Sequence, residues 1–255
     1  MAMTLLVSRE MAGICHLSIN RPEKRNALNM DMYRELNNQL QTAIRDETVQ
    51  VIVLSAQGAD FCAGNDLADF LDNPELGSDH PIISLLHALA DCPKPLLAAV
   101  QGHAVGIGAT LLLHMDLVYL GDNARLRFPF IDLGLVPEFA SSLLLPQRIG
   151  HVRACQLLLL GDALDAATAC DWGLANQVLP AAELQPRLEA AARRLAAKPA
   201  QALLHSKALL KAPQQERIHR TISREIDYFQ QALASFDARQ RIGSLLARVR
   251  QDPDG

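Results

Sequence analysis

Short runs of uninterrupted apolar residues, separated by stretches of helical periodicity, set the strongest limit on how this chain can fold. Val51-Ile-Val-Leu54, Leu96–Val100 and Leu117–Leu120 show no polar face. Each is expected to be a strand buried on both sides, as in a parallel sheet covered by helices. Leu126–Phe130 is read as extending the set. Two short strands are expected before them, joined by a turn at Ala12-Gly13. In the second of these, Cys15, Leu17 and Ile19 alternate with His16 and Ser18. Tyr33, Leu36, Leu40 and Ile44 then recur at helical spacing behind Asn29, a residue type suited to capping a helix. Strands alternating with helices place the first two-thirds of the chain in the α/β class.

From about Ala181 the pattern changes to helices alone. Leu184, Leu188, Ala191, Ala192 and Leu195 form one apolar stripe, and Ile218, Ile222, Ile226, Phe229 and Leu233 form another. Such stripes need a surface to cover, either the chain's own α/β body or a neighbouring subunit. No linker separates two independent domains.

A chain of 255 residues, 49% of them apolar, is long enough to bury a core without disulfides or metal. A formal charge of −4 argues against a nucleic-acid-binding surface. The cysteines (Cys15, Cys62, Cys92, Cys155 and Cys170) are odd in number and form no C-x-x-C pair, so reduced thiols are expected. The histidines show no H-E-x-x-H or related spacing, and no metal site is expected. The best apolar stretch, Leu111–Leu120, is broken by His114 and Asp116, so no membrane span is expected. The first residues lack the basic region of a secretory signal, and QDPDG at the end lacks a peroxisomal address. A cytoplasmic location follows as the expectation. The arginines of the last helices, Arg217 to Arg250, read as a solvated face.

Three segments carry a composition that points to chemistry. In Phe61-Cys-Ala-Gly-Asn-Asp-Leu67, small residues follow a buried strand and allow a ligand close to the main chain. Asp66 is placed to cap the next helix, whose first N–H groups stay free for an anion or oxyanion. An ordinary strand-to-helix turn has the same local composition. Val100-Gln-Gly-His-Ala-Val-Gly-Ile-Gly-Ala109 repeats the arrangement, and its glycines also suit tight packing. It lacks the third glycine and the distant acid of a dinucleotide site. In the third segment, Phe128 to Phe139, Glu138 follows a proline among apolar residues at the start of a helix around Leu143–Leu145. A carboxylate there either complements the helix dipole or does chemistry.

Together, F-C-A-G-N-D-L, A-A-V-Q-G-H-A-V-G-I-G and L-G-L-V-P-E resemble the three signature regions of the crotonase (enoyl-CoA hydratase/isomerase) superfamily, in order and at similar spacing. Asn20-Arg-Pro-Glu-Lys-Arg-Asn-Ala-Leu28, Trp172-Gly-Leu-Ala-Asn176 and Ser206-Lys207 support the likeness, which covers nearly the whole chain. The resemblance implies a crotonase-like spiral of β-β-α turns over residues 1–195. It also implies a C-terminal helical region over 196–255 that builds a homotrimer or a dimer of trimers. The ligand it implies is an acyl thioester of coenzyme A, with no separate cofactor. By the same resemblance the backbone N–H groups of Ala63 and Ile107 form an oxyanion hole. Isoleucine at 107, usually glycine in the family, keeps the N–H and narrows the acyl pocket. Gly64, Asn65, Asp66, Leu67 and Gly106 run beside the ligand, Ala27 and Leu28 line its path, and Arg21, Lys24 and Arg25 lie near the nucleotide.

Hydratases of this family use two glutamates, and the matching positions here are Thr110 and Phe130. Glu138 instead resembles the single catalytic glutamate of peroxisomal-type Δ3,Δ2-enoyl-CoA isomerases, within neighbourhoods that recur at Gly64–Phe70, His103–Ile107 and Val136–Ser142. An isomerase with Glu138 as general base is therefore the expected function. The alternatives are another crotonase reaction (hydration, hydrolysis, dehalogenation or decarboxylation) using Asp132 or the 72–81 stretch, and a non-catalytic acyl-CoA-binding protein.

Overall fold

The computed structural model describes residues 3–10, 12–72, 76–77 and 80–251. In chain order its strands are β1 (Leu5–Glu10), β2 (Ile14–Ile19), β3 (Val51–Ala56), β4 (Leu96–Val100), β5 (His103–Val105), β6 (Leu117–Gly121), β7 (Arg125–Arg127), β8 (Ala163–Asp165) and β9 (Gln177–Leu179). The main sheet runs β1-β2-β3-β4-β6-β9, and β5-β7-β8 form a small second sheet. Only β1 is antiparallel in the main sheet; every later neighbour is parallel. The connections between parallel strands are helical, as that geometry requires.

The helices are α1 (Met30–Arg45), α2 (Leu67–Asp72), α3 (Pro81–Asp91), α4 (Ile107–Thr110), α5 (Ser141–Ile149), α6 (His151–Leu159) and α7 (Ala166–Asp171). Then come α8 (Ala181–Ala196), α9 (Ala200–Ala234) and α10 (Phe236–Gln251). Asn29 caps α1 by accepting from the Met32 N–H at 2.9 Å, the role its residue type suggested.

Both faces of the main sheet are buried. Ile52 and Leu54 join a large core with Tyr33, Leu36 and Leu40 of α1. Val51, Val53, Leu97, Ala99 and Tyr119 form the opposite face with Leu184, Leu188, Ala191 and Ala192 of α8. The second stripe is buried too: Ile218, Ile222, Phe229 and Leu233 of α9 enter the large core. Both stripes therefore cover the chain's own body. Lys207 pins α9 there, its Nζ donating to Asp116 Oδ2 and to the Lys94 carbonyl, both at 2.6 Å. All five cysteines are free.

One expected strand is shorter and lies elsewhere. The Leu126–Phe130 run keeps strand geometry only in β7, within the small sheet. Proline at 129 cannot donate to a ladder, and Phe130 has already turned into helical backbone ahead of a single 3₁₀ turn, Ile131–Leu133. Of the 72–81 stretch, residues 73–75 and 78–79 lie outside the described residues. No helix among the described residues is long and apolar enough to cross a membrane.

Candidate active site

Two turns, one after β3 and one after β5, are laced side by side. The Cys62 N–H donates to the His103 carbonyl and the Val105 N–H to the Cys62 carbonyl, each at 2.9 Å. Gly108 permits this approach, because a Cβ there would stand 2.6 Å from the Cys62 carbonyl oxygen.

The expected donor at Ala63 is corrected by this geometry. The Ala63 N–H is already bonded to the Arg25 carbonyl at 3.0 Å. Asn65 is open instead. Leu28 donates to the Gly64 carbonyl and accepts from the Asp66 N–H, both at 2.8 Å, in a parallel bridge that leaves the Asn65 N–H on the far side. The Ile107 N–H is open for another reason: it heads α4, where the first N–H groups have no intrahelical partner. Neither N–H has an acceptor among the described residues.

Both residues line a cavity of about 700 Å³, walled by Leu67, Phe130 and Leu135 and roofed by Gln240, Ser244 and Leu245 of α10. Ala63, Gly64 and Gly106 also reach it, whereas Arg21, Lys24, Arg25, Ala27, Leu28 and Asp66 do not. Asp66 binds Arg21 at 2.8 Å, and Arg21 also donates to the Ala27 carbonyl at 3.1 Å. Arg25 is tied to Asp60 at 2.8 Å. Lys24 is exposed and has no acidic partner among the described residues. Asp132, at the cavity rim, pairs with Arg127 at 3.0 Å.

Glu138 is not among the residues that line this cavity and is buried, 9% exposed. Its carboxyl accepts from the Thr110 hydroxyl, at the far end of the turn of helix that Ile107 begins. Burial, reinforced by the Glu225 carboxylate and opposed by the Thr110 hydrogen bond, pushes the Glu138 carboxyl up to about 8. The next two residues, Phe139 and Ala140, both have left-handed backbone, with φ of 58° and 55°. Non-glycine residues hold that conformation only where their surroundings enforce it. Here His114 Nε2 contacts the Phe139 carbonyl at 2.8 Å and its ring stacks on Phe139. Glu225 of α9 accepts from the Ala140 N–H at 2.6 Å and from the Ser142 N–H at 3.0 Å, and the Ser142 hydroxyl donates to it at 2.5 Å.

The dipole role open to Glu138 in the sequence is thus filled by Glu225. Helix α5 begins at Ser141, later than Glu138, and the carboxylate at its N-terminus comes from α9. Glu225 was legible in principle, since it interrupts the α9 stripe at helical spacing from Ile222 and Phe229, where an acid is costly unless bonded. Tyr33 belongs to the apolar stripe of α1, yet its hydroxyl reaches Asn65 Oδ1. The hydratase positions hold the Thr110 hydroxyl and the buried ring of Phe130, so neither supplies a carboxylate.

Among the described residues, Glu10, His16 and Glu189 have ligand atoms within 4.8 Å of one another. None of them lines the cavity, and they pair as His16 with two carboxylates.

Residues 9–247 match the family model described as enoyl-CoA hydratase/isomerase. The human protein named enoyl-CoA delta isomerase 2 is 34% identical over 96% of this chain, which spans 64% of that relative's length. The Escherichia coli protein named 1,2-epoxyphenylacetyl-CoA isomerase is also 34% identical, over 96% of this chain and 97% of the relative. The structure of Pseudomonas aeruginosa OdaA superposes with a TM-score of 0.93 at 41% identity, covering 96% of this chain and 99% of that one. The paired turns, the cavity between them and these likenesses over nearly the whole of this chain agree: this chain belongs to the enoyl-CoA hydratase/isomerase family of enzymes.

Proposed function

We propose that the enzyme is a Δ3,Δ2-enoyl-CoA isomerase that moves a double bond by a 1,3 proton shift. The observation that carries this reading is the buried Glu138 carboxyl, raised to about 8 and held by Thr110 at the end of the helical turn that Ile107 begins, with no carboxylate at Thr110 or Phe130. The thioester oxygen sits between the N–H groups of Asn65 and Ile107. Removing the C2 proton of a 3-enoyl thioester puts charge on that oxygen, and each aimed donor contributes on the order of 3–4 kcal/mol to holding it. Glu138 takes the proton from C2 and returns it at C4, so proton and electron pair stay within the substrate. A glutamate raised toward working pH is a stronger base than an ordinary carboxylate, as a weakly acidic C–H demands. The carboxyl must leave Thr110 and turn past Ile107 to reach C2. The reaction is redox-neutral, so the chemistry calls for nothing beyond the coenzyme A carried by the substrate.

The test pairs 3-enoyl-CoA with 2-enoyl-CoA substrates and includes Glu138→Gln. Isomerisation should dominate, and the substitution should cost roughly 10²–10⁴ in kcat. Efficient hydration of 2-enoyl-CoA, or near-normal isomerisation by the variant, would overturn the assignment. Because the E. coli relative bears the name of a different isomerisation, its epoxide substrate belongs in the same panel.

A further inference from the structure

Resting on Glu138 as the base, we propose that Glu225 is a positioning residue for the reaction: its carboxylate clamps the left-handed turn that fixes where the Glu138 carboxyl stands. Three observations meet at this point. Phe139 and Ala140, directly after Glu138, hold consecutive left-handed conformations that neither side chain favours. Glu225, 85 residues further along the chain from Ala140, accepts the Ala140 N–H with one oxygen and the Ser142 N–H and hydroxyl with the other. Glu225 is itself buried, 6% exposed, beside Ile222 and Phe229 of the same helix, where an acid is costly unless it is bonded.

A carboxylate suits this position because both of its oxygens accept; glutamine offers one acceptor and would turn an NH₂ group toward a second donor. The same charge acts on Glu138. With Glu225 ionised, Glu138 holds its proton to higher pH. The other groups facing Glu138 are the Thr110 hydroxyl and, from α1, the Tyr33 phenol. His114, packed on Phe139, is pushed down to about 3 by burial and stays neutral. Glu225 and Ser142 also border a second cavity of about 340 Å³, shared with Pro137, Thr221, Arg224 and Tyr228. Arg224 lies over the Tyr228 ring there, 5.8 Å from its centroid.

The experiment compares Glu225→Gln, Ser142→Ala and Glu138→Gln with the parent enzyme across pH, measuring kcat, KM and melting temperature. Glu225→Gln should lower kcat by roughly 10²-fold, the scale of a small misplacement of a reacting group, with KM nearly unchanged. Its pH profile should shift to lower pH, because a negative charge near the base is gone. Ser142→Ala removes one bond to Glu225 and leaves its carboxylate in place. It should shift kcat and the pH midpoint in the same directions by less, which keeps the proposal testable if Glu225→Gln does not fold. A melting temperature that drops while kcat and the midpoint stay at parent values, in either variant that folds, overturns the proposal. If Glu138→Gln is inactive in that case, the identity of the base survives and only the role of Glu225 falls. Activity retained by Glu138→Gln would remove the base itself.

Discussion

The Tyr33 hydroxyl donates to Oδ1 of Asn65 at 2.5 Å, joining the first long helix to the residue that carries one of the two open N–H groups. Tyr33 is fully buried, so water cannot replace that partner. Tyr33→Phe should leave Asn65 Oδ1 without that donor, at a cost of about 1–3 kcal/mol. Loosening Asn65 should lower kcat more than it raises KM. Thermal melts and steady-state kinetics check both parts.

The pH dependence follows from the two buried glutamates. Because Glu138 acts ionised, kcat/KM should rise with pH and level off above about 8. Thr110→Val removes the hydrogen bond that lowers this value, so the midpoint should move to higher pH. Stability should run the other way. Glu138 and Glu225, raised from 4.5 to about 8 and about 7, stay protonated in the folded chain where the unfolded chain is ionised. Their contribution is complete below about 4.5 and is lost as pH rises through about 7 to 8. Denaturant melts of the parent and of Glu138→Gln should show a shallower slope for the variant.

Arg21 and Lys24 should separate cleanly. Arg21 is held by Asp66 and the Ala27 carbonyl, so Arg21→Ala should destabilise the fold, on the order of 1–3 kcal/mol. Lys24 has no such duty, and Lys24→Ala should raise KM for a CoA ester without moving the melting temperature. Equal effects of both substitutions on KM alone would contradict this division.

Self-association, which the family resemblance implies, has candidate residues on the surface. Val152 and Leu159 of α6, and Leu209 and Leu210 of α9, are large, apolar and exposed. Light scattering should give a trimer or a dimer of trimers, and Leu209→Glu with Leu210→Glu should shift it toward smaller species. A monomeric parent enzyme at micromolar concentration would refute the assembly.

The long elements were legible in the sequence because their patterns repeat enough times to be unambiguous. Val51–Leu54 is apolar on both faces because α1 covers one side of β3 and α8 the other. The three-residue strands β5, β8 and β9 were not, since no periodicity fits in three positions. They exist because neighbouring segments offer them partners. The donor at Asn65 rather than Ala63 was hidden for a related reason. Which N–H of a small-residue turn stays open depends on where the carbonyls of Arg25 and Leu28 fall, and those belong to another part of the chain. Glu138 stood out by its setting after Pro137, but the partner that frees it from capping α5 lies on a helix far downstream.

Gly108 touches no substrate atom in the proposed reaction, yet the gap between the two donors is gauged by its missing side chain. A methyl group there would meet the Cys62 carbonyl at 2.6 Å and wedge the two turns apart. The separation of the Asn65 and Ile107 N–H groups is therefore held by hard contact, which neither salt nor proton concentration relaxes. In a survey of alanine substitutions, position 108 would pass for a catalytic residue while contributing no chemistry. Its loss would be mechanical, like a shim removed from between two jaws, and no change of buffer would restore it.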